Sequence, residues 1–258
     1  MDLFAIKLIL TPLLIGASTL AGRRWGPAIG GLIAGLPLTA APISVFLAFE
    51  QGKSFAAEAA VSALLGYAGV GAFCIAYRLT LPGSRPWSAG IIGIVAFLVA
   101  SFFLSFLTVD ALTAAIIAIV LLALVLAMIK RLSATIPVPS PAWWDMPLRM
   151  IIATVMVLAI TGGAHLLGPE WSGLLSPFPV FTSVMTVFAH QASGWKAAHQ
   201  LLRGVVLGCF AAAAFFLTVA LLLADHGIWI TYGLATVAAL VINGLVLLEI
   251  VRNKSAAQ

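Results

Sequence analysis

Apolar residues run along this chain in blocks of roughly one bilayer thickness, separated by short clusters that hold most of the charge, Gly and Pro. Nine blocks are long enough to cross a membrane as helices: about 3–21, 28–49, 55–77, 87–107, 111–129, 148–167, 172–190, 200–223 and 228–250. All seven tryptophans, Trp25, Trp87, Trp143, Trp144, Trp171, Trp195 and Trp229, fall at or beside block ends. An amphipathic ring prefers the headgroup layer, so the pattern reads as an aromatic belt. Two blocks are interrupted. GLIAGLPLTAAPISVFLAFEQG carries Pro37 and Pro42, and GLLSPFPVFTSVMTVFAHQASG carries Pro177 and Pro179.

The two interrupted blocks are copies of one another. With an offset of 142, residues 26–66 align without a gap on 168–208, with eleven identities in 41 positions. Gly26, Pro27, Gly31, Leu32, Pro37, Val45, Phe46, Gly52, Ala56, Leu65 and Gly66 match Gly168, Pro169, Gly173, Leu174, Pro179, Val187, Phe188, Gly194, Ala198, Leu207 and Gly208. Compositional bias alone gives about 3 or 4 matches. The offset also lays the first block on the sixth, so the first 21 residues, whose apolar run and small residues resemble a leader peptide, are expected to stay in the mature protein.

Each repeat holds four blocks and the block at 111–129 has no partner, so one extra crossing starts the second repeat on the opposite face. The predicted fold class is an all-α polytopic membrane protein of about nine transmembrane helices in an inverted 4+1+4 repeat. Residues 1–110 form the first four-helix repeat and 111–131 the unpaired linking helix. Residues 132–147 form a Pro-rich cytoplasmic linker and 148–258 the second repeat.

Loop charge sets the orientation. Arg23 with Arg24, Arg78 with Arg85, Lys130 with Arg131 and Arg149, Lys196 with Arg203, and Arg252 with Lys254 occupy every second connection. The intervening ones carry Glu50, Lys53 and Glu58, then Asp110, Glu170 and Asp225. Because basic residues accumulate on the cytoplasmic side, the N-terminus is expected outside and the C-terminus in the cytoplasm.

Composition narrows the function classes. The chain of 258 residues is 63% hydrophobic and 8% charged, which leaves no room for a sizeable soluble domain. Its net charge of +5 is scattered in ones and twos, a topology signal rather than a nucleic-acid patch. Cys74 and Cys209 lack CxxC spacing and a His neighbour, so they read as packing residues, and no metal site is expected. GK[ST], HExxH and GxSxG signatures are absent, and no enzyme activity or cofactor is expected. His165, His199 and His226 lie near block ends without metal-ligand spacing.

Candidate chemistry gathers at the breaks. An unpaired N–H or C=O in hydrocarbon costs several kcal/mol, so a broken span survives only against protein or a water-filled cavity. Two breaks at matching positions are the sequence signature of a transporter site built from discontinuous helices. The substrate-binding candidates are Pro37, Thr39, Ser44, Ser176, Pro179, Thr182, Ser183 and Thr186, with Asn243 as the one amide well inside a block. Kinked helices whose hydroxyls bond back to the backbone are the bland alternative. Glu50 and His190 flank the broken blocks and are gating candidates, with ordinary interfacial roles as their alternative. Glu249, one turn from Arg252, reads as an interfacial pair. Gly31 with Gly35, Ser62 with Gly66, and Gly204 with Gly208 have the spacing that lets helices approach closely.

The stretch SGLLSPFPVF followed by HQASG and an apolar block resembles the GlpM-like family of small bacterial inner-membrane proteins, which are about one repeat long. The resemblance covers 168–223 and, more faintly, 26–77. The family's His stands nearer to the proline than His190 does to Pro179, so no role passes to His190 from it. It implies a bacterial inner-membrane role in envelope or exopolysaccharide production, and an antiparallel dimer as the ancestor of a fused chain. The leading function is a secondary transporter or lipid-intermediate flippase, whose partners are membrane lipid and a small polar, weakly anionic or lipid-linked substrate. The alternative is a non-transporting subunit that scaffolds an envelope-assembly complex. A homo-oligomer is compatible with either.

Overall fold

The structure, a computed structural model, describes residues 27–81, 83–132 and 144–255, together with 7–9, 12, 13, 16, 20 and 24. Most of the expected first span and of the Pro-rich linker lies outside the described residues, as do the side chains of Glu249 and Arg252. Every described element is a helix: α1 (Pro27–Ala34), α2 (Ala40–Glu50), α3 (Lys53–Thr80), α4 (Pro86–Leu104), α5 (Ala111–Met128), α6 (Asp145–Gly162), α7 (Ala164–Leu175), α8 (Val180–Ser193), α9 (Trp195–Leu222) and α10 (Ile228–Ser255).

Five of these, α3, α4, α5, α9 and the part of α10 up to Leu248, are long and apolar enough to cross a membrane. The pair α7 and α8, bent by 41° at its break, makes a sixth. The second expected span is divided into α1 and α2 around residues 35–39. One boundary differs from the sequence reading. The sixth span was expected to reach residue 167 and to be followed by a loop, but α6 stops at Gly162 and the chain re-enters a helix at Ala164. Gly168, at φ +69°, kinks α7, and Pro169 opens the next turn, where its missing N–H costs nothing.

Helices α3 and α9 form the centre. Each is 28 residues long, and adding 142 to the bounds of α3, 53 and 80, gives the bounds of α9, 195 and 222. They run in opposite directions. The rings of Tyr67 and Phe216 lie 5.7 Å apart, while Arg78, later in α3, lies near His199, earlier in α9. Each follows a tight reversal at a glycine of positive φ, Gly52 at +95° and Gly194 at +77°, where a side chain would strain the backbone. Of the most apolar stretches, 72% of α3 and 56% of α9 is buried, against 22% for α5 and α10. The outer helices therefore present their apolar residues to lipid, Phe102, Phe103 and Phe106 beside α4 among them.

Helix α5 packs on both central helices. Its N-terminus is capped by Asp110, which accepts from Leu112 N at 3.2 Å and also bonds the Thr113 hydroxyl. That network holds the Asp110 carboxyl below the usual carboxylate range, the Thr113 hydroxyl being the largest cause and backbone N–H donors adding to it. At the other end, α9 supplies the donors. Arg203 bonds the Ile129 carbonyl at 2.6 Å, His199 Nε2 the Lys130 carbonyl at 2.7 Å and Gln200 the Leu132 carbonyl at 3.3 Å.

Candidate functional site

Close helix contacts converge on the two breaks. Helix α1 lies along α9 through glycine: a Cβ on Gly31 would sit 2.1 Å from the Leu201 carbonyl oxygen, and one on Gly35 2.2 Å from that of Val205. Helix α7 lies along α3 in the same manner, with a Cβ on Gly173 placed 2.1 Å from the Ala59 carbonyl oxygen and one on Gly66 2.6 Å from Pro177 Cγ. These contacts exchange under the repeat offset. Gly31 meets Gly204 as Gly173 meets Ser62, and Gly35 meets Gly208 as Pro177 meets Gly66. Small residues at these places let the broken helices cross the central pair at backbone distance.

The breaks themselves share one hydrogen-bond pattern. Leu36 N bonds Ile33 O, Leu38 N bonds Leu36 O and Ala41 N bonds Pro37 O; Phe178 N bonds Leu175 O, Val180 N bonds Phe178 O and Ser183 N bonds Pro179 O. These three bonds in one break have their counterparts 142 residues later in the other. Proline fits because its φ suits the turn and its absent N–H leaves no donor stranded in the bilayer.

Between the breaks lies a cavity with about 20 Å³ open to the centre of a water molecule. Its lining contains four pairs related by the offset: Gly35 and Pro177, Leu36 and Phe178, Thr39 and Phe181, Tyr67 and Cys209. Ala34, Leu38, Val70, Pro179 and Thr182 complete it. The space holds one water or an atom-sized ligand. Among the described residues no charged side chain lines it.

Of the substrate-binding candidates, Thr39, Pro179 and Thr182 line this cavity, and Pro37 is buried within the first break. No described residue bonds the hydroxyl of Thr39 or Thr182. Ser176, Ser183 and Thr186 donate their protons back to the carbonyls of Gly173, Val180 and Thr182 at 2.8, 2.9 and 2.7 Å. Ser44 joins α2 to α10 through the Tyr232 hydroxyl at 2.7 Å. Asn243 lies on α10 away from the cavity, its buried Oδ1 without a partner among the described residues.

Neither gating candidate stands open. His190 Nδ1 lies 3.2 Å from the hydroxyl of buried Tyr77, which also reaches the Pro86 carbonyl at 3.4 Å, so three helices meet there. Glu50 bonds Lys7, whose ammonium lies 2.6 and 2.7 Å from the two carboxylate oxygens and 2.7 Å from the Thr161 hydroxyl. Thr161 gives its own proton to the Val157 carbonyl and accepts from the lysine. The Lys7 ammonium also lies 5.3 Å from the Phe46 ring centroid.

Lys7 and Tyr67 were absent from the sequence reading. A lysine at the fifth position of an apolar block is a signal in itself, since an ionisable group inside a span needs a partner. Tyr67 is legible only through its pairing with Cys209 in the offset. Among the described residues no cluster of His, Cys, Asp and Glu is built to hold a metal. No protein-family model matches the chain, and no curated protein or solved structure is significantly similar to it.

Proposed function

We propose that the chain is a multi-pass inner-membrane secondary transporter, with nine spans in an inverted 4+1+4 repeat and its substrate site in the cavity between the two breaks. The observation that carries this reading is the duplication of the cavity itself. Four pairs of lining residues and three pairs of hydrogen bonds repeat at one offset, and the glycine contacts exchange between the halves. Antiparallel α3 and α9, equivalent by the same offset, favour opposite orientations for the two repeats. Two similar halves facing opposite sides can trade conformations, which opens a shared central site to each side in turn.

Side-dependent labelling tests the reading. Single cysteines replacing Thr39 and Phe181, equivalent positions on the cavity wall, in a background lacking Cys74 and Cys209, should react with an impermeant methanethiosulfonate from each face of sealed vesicles. Slowing of one face as the other is favoured marks alternation. No reaction at either position from either face would sink the transporter. The small cavity and the back-bonded hydroxyls favour the second reading, a membrane subunit that scaffolds envelope or exopolysaccharide assembly. That reading, to which the GlpM-like resemblance also points, predicts unreactive cysteines and one partner that co-purifies throughout.

A further inference from the structure

We propose that the central cavity binds a small monovalent anion; the assignment rests on reading that cavity as the substrate site. Two helix N-termini meet there. Leu38 and Thr39 lead into α2, Pro179, Phe181 and Thr182 begin α8, and all five line the cavity. Both helices are long enough to carry an end charge, at 11 and 14 residues. Each N-terminus carries at most about half an elementary positive charge, less where the N–H groups of Ala41, Val180 and Ser183 already bond, so the two together amount to no more than about one. That field suits a monovalent anion and leaves a divalent phosphate under-compensated, because among the described residues no lysine, arginine or histidine lines the wall.

The side chains agree with the field. Thr182 is 3% exposed and Tyr67 4% exposed, both line the cavity, and no described residue takes a hydrogen bond from either hydroxyl. Both residues line the cavity, so each hydroxyl can donate to an acceptor held there. The thiol of Cys209 and the hydroxyl of Thr39 are further weak and ordinary donors on the same wall. Among the described residues no carboxylate lines the cavity, so a cation would meet two positive helix ends without a counter-charge. Size completes the argument: about 20 Å³ admits a halide or the end of formate and excludes a lipid headgroup.

The test uses the full chain in lipid nanodiscs, with its thermal midpoint followed as sodium gluconate is replaced by sodium chloride, bromide or formate at constant ionic strength. A saturable rise of the midpoint is expected with the small anions. Thr182→Val and Tyr67→Phe keep the shape and remove one donor each, and each should weaken the apparent affinity roughly tenfold, with little change of midpoint in gluconate. A wild-type protein without a saturable response, or a response unchanged in both variants, overturns the anion site. Chloride flux into liposomes separates the two claims. Binding lost in both variants but without flux removes the transporter and keeps the site. Two-sided cysteine reactivity without an anion response removes the site and keeps the transporter.

Discussion

Lys7 and Glu50 should prove unequal partners. The Lys7 side chain is 6% exposed and that of Glu50 27%, so the ammonium depends on its partner while the carboxylate still reaches water. Replacing Glu50 with Gln leaves a buried cation without a counter-charge, a change that costs about 3–5 kcal/mol. Replacing Lys7 with Met leaves a carboxylate that can rehydrate, and the cost falls to about 1–3 kcal/mol. The double variant places an apolar stem where the charge was and should come within about 1 kcal/mol of the native protein. At roughly 2–4 °C per kcal/mol for a chain of this size, Glu50→Gln should lower the thermal midpoint by roughly 6–20 °C. A double-mutant cycle on the purified protein reads the coupling directly. Single variants of equal cost, or a double variant that sums the two losses, would refute the argument that burial of the lysine governs the pair.

The glycine contacts make a second prediction: Gly35→Ala and Gly208→Ala each force a Cβ to within 2.2 Å of a backbone oxygen, so the crossing helices must separate. Each should cost several kcal/mol and deplete folded protein in detergent, while Gly244→Ala, with open space around it, should be neutral or gain up to about 1 kcal/mol of helix propensity. Acidification tests the cap of α5. The Asp110 carboxyl is held below its unfolded value, so its contribution is present above about pH 3.9 and is lost as pH falls through the lower folded value. Asp110→Asn, which still accepts from the backbone, should flatten that acid limb of the stability profile and leave the neutral region nearly unchanged. Ser44→Ala and Tyr232→Phe should each cost about 0.5–1.5 kcal/mol in thermal unfolding and together little more than either alone, because they share one bond.

How far the sequence reached depended on the kind of physics involved. The long apolar helices and both breaks were legible because a bilayer punishes unpaired backbone groups wherever they occur. The internal similarity at an offset of 142 rests on Gly and Pro positions, and the structure puts Gly31 and Gly66 at close helix crossings and Pro37 and Pro179 in the breaks. Hydroxyl roles were not legible. Thr182 faces the cavity while Thr186, one turn on, bonds back to the Thr182 carbonyl, and only rotation about the helix separates them. Tyr67 and Phe181 look like core aromatics until the fold turns them to the cavity wall. Lys7 finds Glu50 across 43 residues and Thr161 across 154, distances at which pattern says nothing. Asn243 was grouped with the site by its polarity and stands elsewhere, on α10.

The inverted arrangement of the repeats is the claim on which a shared central site depends, and labelling of intact cells tests it most directly. Arg24 and Glu170 are exposed, so single cysteines at 24 and 170, in a background lacking Cys74 and Cys209, can be read against an unlabelled parent. An impermeant maleimide should label position 170 and leave position 24 untouched. Labelling of both positions, or of neither, would contradict opposite orientations and with them the two-sided site.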